Sequence, residues 1–259
     1  MTASTATGNG ALDIGRVIQQ LFQVLGRNFV SFAVLAVVLA GIPSAIFYSV
    51  QMSMVRGGPT AAATSSSVLW MFLGAVVLGL TSLILQATII HGTVSDLNGR
   101  RVSIADSLRA GLYAFLPVLL IGIMMGLAIA LGLILLIVPG VMLAIAWCVA
   151  VPVYVVERRG ILDVFGRSAE LTRGNRWRIF GLAVIYVVAV IIIQMVLGMV
   201  SGIANVTAGG ASPVTSLFIL PLIQVANALV GASGVAALYV DLRQIKDGVG
   251  PEGLAAIFD

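Results

Sequence analysis

The sequence predicts an all-α, polytopic membrane protein with about six spans in three helical hairpins and both termini in the cytoplasm. Three observations predict it. The 259 residues are 60% hydrophobic and 9% charged, where an ordinary soluble domain carries about a quarter charged residues, and the mean hydropathy is +1.12. Uncharged runs cover residues 28–55, 57–95, 110–156 and 179–240, each longer than the roughly 20 residues a helix needs to cross a bilayer, and the last two are long enough to fold back. Of the 14 basic residues, 13 fall in segments that alternation of the spans puts on one side, which the positive-inside rule makes the cytoplasm.

The elements follow in order. Residues 1–10 are small and polar and read as a disordered tail; without the apolar core of a secretory signal, the chain is expected to insert through its own spans. The membrane domain covers 11–248, and 249–259 form a C-terminal cytoplasmic tail. Before the first span, Asp13, Arg16, Gln20, Gln23 and Arg27 recur at helical spacing opposite Ile14, Val17, Ile18, Leu21 and Leu25, an amphipathic helix suited to the headgroup layer. The spans are predicted at 29–50, 68–90, 112–137, 141–156, 179–200 and 214–240. Pro139-Gly140 is read as the turn of the second hairpin, since proline lacks the amide and glycine accepts positive φ. Residues 201–213 are the polar linker of the third.

Two further cytoplasmic segments resemble the first. Ser103 caps a helix to Arg109, with Asp106 three residues on and Ile104 and Leu108 on one face. Residues 161–173 place Asp163, Arg167 and Glu170 on one face and Leu162, Phe165 and Ala169 on another. Each is followed by a glycine and an aromatic where the chain enters the membrane: Gly26 with Phe29, Gly111 with Phe115, Gly174 with Trp177. The chain therefore reads as three units of interfacial helix plus hairpin, either as architectural symmetry or as what any such elbow needs.

Function is read largely by exclusion. The predicted spans hold no Asp, Glu, Lys or Arg, and such residues mark proton relays, ion paths and catalytic sites inside membranes. A single cysteine, Cys148, and a single histidine, His91, give neither a disulfide framework nor a familiar metal-ligand set, so neither cofactor nor metal is expected and His91 is assigned structural hydrogen bonding. Gln224 and Asn227 share a stripe of the last span with Gly231 and Gly234, as a packing surface or a polar groove. The glycine pairs Gly122 and Gly126, and Gly198 and Gly202, are expected to pack helices closely. Pro43, Pro117, Pro152 and Pro221 are candidate kinks.

Arg158, Arg159, Arg167, Arg173, Arg176 and Arg178 form the densest feature outside the spans. Guanidinium groups there suit lipid phosphates, or act as topogenic charge paired with Asp163, Glu170 or Asp241. No groove for nucleic acid is expected.

Three patterns carry a family resemblance. They are Ile137-Val-Pro139-Gly140 running on to Pro152-Val-Tyr-Val-Val-Glu157; the segment from Gly166 through Leu171, Gly174 and Trp177 to Phe180; and the exit Leu238-Tyr239-Val240-Asp241-Leu242-Arg243 followed by Lys246-Asp247-Gly248. Together they resemble the six-span membrane domain attached to some bacterial glycerophosphoryl diester phosphodiesterases, which also stands alone in many bacteria. Asp247 departs from the family pattern, which more often has Glu. The resemblance singles out Tyr239, Asp241 and Arg243 and implies a bacterial inner-membrane location. It implies no phosphodiesterase activity, because in the fused enzymes that chemistry belongs to a separate soluble domain. The expected role is a non-enzymatic membrane protein engaging anionic phospholipids in lipid handling or envelope maintenance. Its alternatives are a transporter or channel subunit for a small solute and a membrane scaffold or assembly factor, with a second copy or another membrane protein as possible partner.

Overall fold

The computed structural model describes residues 12–57, 65–99, 103–210 and 212–248; the tails 1–10 and 249–259, and Arg100 and Arg101, lie outside the described residues. Asp13 starts the chain's first helix, α1 (Ile14–Arg27), by accepting from the Gly15 and Arg16 amides at 2.9 and 3.3 Å, which satisfies donors a helix cannot pair internally. The chain turns at Asn28 into α2 (Phe29–Ala36), a π turn (Val37–Gly41) and α3 (Ile42–Arg56). There follow α4 (Ser65–Leu97), α5 (Ile104–Leu135), α6 (Ile137–Trp147), α7 (Ala150–Glu157), α8 (Asp163–Thr172) and α9 (Arg176–Thr207). A second π turn (Thr215–Ile219) leads into α10 (Leu220–Asp247). Six helices are long and apolar enough to span a membrane: Phe29–Met54, Ser66–Leu97, Ile104–Leu135, Ile137–Glu157, Arg176–Thr207 and Thr215–Asp247. There is no strand among the described residues.

Several boundaries move. The second hairpin turns at Leu136 (φ −161°, ψ 137°), not at Pro139-Gly140. Pro139 sits in the first turn of α6, where no amide partner is missed, and Gly140 serves close approach: a Cβ there would lie 2.7 Å from the Leu133 amide nitrogen. The 201–213 linker is mostly helical, since α9 continues to Thr207. Ser103 does cap its helix, accepting from the Asp106 amide at 3.3 Å, but that helix runs unbroken into the third span. Only two of the three expected elbows are therefore separate helices.

The three elbow glycines also differ. Gly26 faces open space, Gly111 abuts α4 and Gly174 turns the chain at φ 91°. Unlike physical needs underlie the shared glycine-aromatic pattern.

The prolines act in different ways. Each π turn ends two residues before a proline, Pro43 or Pro221, and a widened turn absorbs the amide hydrogen bond a proline cannot make. The first π turn packs on α10 and the second on α3, so both irregularities lie where the first and last spans pack together. Pro152 follows a break between α6 and α7 at Cys148 and Val149, and Pro117 lies inside α5.

The buried core lies toward one end of the bundle. Phe32 and Leu35 of the first span, Leu85 to Val94 of α4, Val118 and Ile121 of α5, Val149 to Val155 and Ala232 to Leu242 build it. Beyond Ile121, α5 presents Ile123, Leu127, Leu131 and Ile134 outward, and only Ile179 and Ser201 of the 32 residues of α9 are buried. Apolar surface gains little by leaving lipid, so close approach and polar contacts hold such helices. Gly111 supplies the first between α4 and α5, and Thr93 with Ser233, 3.5 Å apart, supplies the second between α4 and α10. The expected glycine pairs do not: a Cβ at Gly122, Gly126, Gly198 or Gly202 meets nothing within 4 Å.

A methyl at Gly111 would fall 2.1 Å from Thr88 Oγ1 and 2.8 Å from the Ile84 carbonyl. Gly111→Ala is expected to destabilise the protein by about 1–3 kcal/mol through overpacking, while Gly122→Ala, in open space, should be neutral or stabilising by up to about 1 kcal/mol. Thermal unfolding in detergent, followed by tryptophan fluorescence, measures both.

Candidate functional site

The charged segments meet at the well-packed end of the bundle. Arg27 donates to Asp96 at 2.6 Å, and the Asn28 side chain bridges the Val24 carbonyl and the other Asp96 oxygen; together they join the start of the first span to the end of the second. Arg16 on α1 pairs at 2.5 Å with Asp241 on α10, whose side chain is fully buried. Val17, Leu21 and Val24 of α1 are buried too, and α1 packs on α10.

Helix α8 is docked into the bundle, with Phe165 inward and Asp163 and Glu170 outward as its sequence predicts. Val164, Phe165, Ser168, Leu171 and Thr172 are buried, while Leu162 is exposed. The break after Trp147 frees the Ala146 carbonyl, which accepts from Ser168 Oγ at 2.9 Å and Thr172 Oγ1 at 3.3 Å. Phe165 packs against Trp147 with ring centroids 4.7 Å apart and planes tilted by 55°. Two hydroxyls thus face inward because a broken span offers them an acceptor.

This docking places Arg167 at the centre of a network. Its side chain, 9% exposed, reaches Glu157 at 3.4 Å, Glu170 at 3.1 Å and Asp247 at 2.5 Å. Glu157 also accepts from the Tyr239 hydroxyl at 3.0 Å and from Arg159 at 2.6 Å, and Arg243 lies 3.6 Å from Asp247. Burial by itself would lower the pKa of Arg167, but hydrogen bonds to Asp247 and Glu170 and the charge of Glu157 outweigh it and raise the pKa. Residues from all three patterns behind the family resemblance converge here: Glu157, Arg167 and Glu170, and Tyr239, Arg243 and Asp247.

The six clustered arginines therefore divide. Arg159 and Arg167 belong to the network. Arg178 Nη1 donates to the Leu12 carbonyl at 2.6 Å while Asn175 Oδ1 accepts from the Leu12 amide at 2.9 Å, clamping a fully buried leucine. Arg158, Arg173 and Arg176 make no ion pair among the described residues. Arg173 is exposed, Arg176 Nε is buried without a partner, and Trp177 beside them is 85% exposed. Asn175 escapes sequence reading because its partner is a backbone group 163 positions away. Gln224 and Asn227 are half-buried on α10.

At the same end, a half-open cleft of about 630 Å³ lies among the C-terminal part of α4, the start of α5 and the end of α7. Its polar lining is His91, Ser95, Asn98, Tyr113, Tyr154 and Arg158, and it includes neither Gln224 nor Asn227. The expected structural hydrogen bond of His91 is not seen at Nδ1, which is buried and unpartnered. Among the described residues no group of three His, Cys, Asp or Glu side chains converges as a metal site.

The fold and this charged end define a multi-pass α-helical membrane protein. No protein family, no curated protein and no solved structure matches the chain.

Arg167→Leu would leave Glu157, whose side chain is 10% exposed, with only Arg159 and the Tyr239 hydroxyl, at an expected loss of about 2–3 kcal/mol, below the full cost of a buried pair broken on one side. Arg159→Gln removes a half-exposed partner and should cost less than about 1 kcal/mol. Thermal unfolding of the two variants side by side checks the ranking.

Proposed function

We propose that this is a non-enzymatic bacterial inner-membrane protein, with both termini in the cytoplasm, whose cytoplasmic face engages anionic phospholipid headgroups in lipid handling or envelope maintenance. One observation carries the reading: after internal pairing is satisfied, Arg173 and Arg176 remain unpaired among the described residues beside exposed Trp177, at the start of a span. Tryptophan favours the membrane interface, and guanidinium groups there meet lipid phosphates with charge-assisted hydrogen bonds. The 13-to-1 distribution of basic residues supports the orientation. The resemblance to the membrane part of a phospholipid-metabolite enzyme supports the lipid theme.

Each basic residue near an anionic surface contributes about 1 kcal/mol. The double variant Arg173→Gln/Arg176→Gln is therefore expected to lose about thirty-fold in affinity for phosphatidylglycerol, read by native mass spectrometry from nanodiscs of phosphatidylcholine doped with that lipid. Unchanged retention in a correctly folded variant would overturn the reading.

A further inference from the structure

We infer that the cleft among α4, α5 and α7 is a binding site for a phosphate-bearing amphiphile, with the phosphate on Arg158 and the organic part over an apolar floor. This goes beyond the surface reading, which needs only Arg173 and Arg176. The lining offers donors and no carboxylate: the Arg158 guanidinium, the Asn98 amide, the Ser95, Tyr113 and Tyr154 hydroxyls and the His91 ring. Val94, Ala110, Ala114, Val155 and Val156 complete it as apolar surface. A volume of about 630 Å³ lies within the range of small-molecule sites, about 300–1,000 Å³.

The acids nearest in sequence are neutralised elsewhere. Glu157 is held by Tyr239, Arg159 and Arg167, and Asp96 by Arg27 and Asn28. Neither of these is left to face an anion in the cleft; Asp106 on α5, whose charge reaches His91, opposes one. The C-terminal dipoles of α4 and α7 oppose an anion, so the hydroxyls alone would not hold it and the charge of Arg158 must.

The backbone of Arg158 points the same way. It caps α7 in the left-handed region, φ 50° and ψ 38°, and is the only non-glycine with positive φ among the described residues. Glycine is the favoured residue at such a helix end because a side chain there is strained. Among the described residues, Arg158 makes no ion pair or side-chain hydrogen bond that would offset the strain. A strained residue whose side chain contributes nothing to the fold is a mark of function.

This separates function from folding by experiment. Arg158→Gly should leave the melting temperature unchanged or raise it, while weakening binding about ten-fold or more, as expected for loss of a charge-assisted hydrogen bond. Asn98→Ala, at the cleft wall, should weaken it in the same direction. Two probes identify the source of the phosphate: phosphatidylglycerol in phosphatidylcholine nanodiscs, read by native mass spectrometry, and inorganic phosphate added to protein in phosphatidylcholine alone, read by phosphorus NMR.

Saturable binding of the lipid that Arg158→Gly weakens supports a headgroup site. Saturable binding of inorganic phosphate alone, weakened by the same variant, supports a soluble phosphate compound. No saturable binding of either probe overturns the inference, and so does full binding by Arg158→Gly. Where only the Arg173→Gln/Arg176→Gln variant loses lipid and inorganic phosphate does not bind saturably, the cleft inference fails and the surface reading stands; where only Arg158→Gly loses lipid, the reverse holds.

Discussion

A carboxylate withdrawn from water must be matched by charge and hydrogen bonds, or it will protonate or unfold its surroundings. Glu157 is in that position at the end of the fourth span, and what matches it comes from three places. Arg159 follows it in the chain, Arg167 comes from α8, and Tyr239 comes from α10. Arg167 needs more than one acid for its own fork of donors and takes Asp247, which draws in the last turn of α10. Satisfying one buried charge thus joins the fourth span, the α8 elbow and the last span. The last span's partners lie 80 and 82 residues away in sequence, and it has little apolar incentive to join them in lipid.

The distribution of packing follows from this. Where ion pairs and a backbone-seeking pair of hydroxyls hold the helices, side chains from five of the spans interleave into a core. Away from that end the helices present leucine, isoleucine and valine outward, because hydrocarbon solvates those side chains as well as a neighbouring helix would. The fifth span is the extreme case. Its start is tied through Asn175 and Arg178 to Leu12, and at its far end Asn205 accepts from the Ser212 amide and the Thr215 hydroxyl. Between these ties it is almost wholly exposed.

What was legible in the sequence was what hydropathy and charge encode one residue at a time: six spans, the Ser103 cap and the separate helices before the first and fifth spans. Turns were less legible because local chemistry admits two solutions. Pro139 is equally content in a turn or in the first turn of a helix, and only the closeness of Leu133 to Gly140 decides for the second. The inward turn of Ser168 and Thr172 is not written locally, because their acceptor is the Ala146 carbonyl that the broken span supplies. The glycine pairs fail for the converse reason: their spacing permits close packing, but no helix comes near.

The arginine cluster shows most plainly what a one-dimensional reading omits. Six guanidinium groups within 21 residues look alike on paper, and their charge alone suggests one surface with one role. Folding sorts them by partner. Arg167 is enclosed by three acids and Arg178 is committed to a backbone carbonyl, so substituting either tests stability first. Arg158, Arg173 and Arg176 have no acid within ion-pair reach among the described residues, and of these Arg158 and Arg173 are exposed while Arg176 keeps its Nε buried. A charge the fold does not use raises the solvation demand of its surroundings, and Arg158 adds backbone strain to that demand. Two independent costs at one side chain, on the wall of a cleft without carboxylates, make Arg158 the residue where structure and function separate most cleanly.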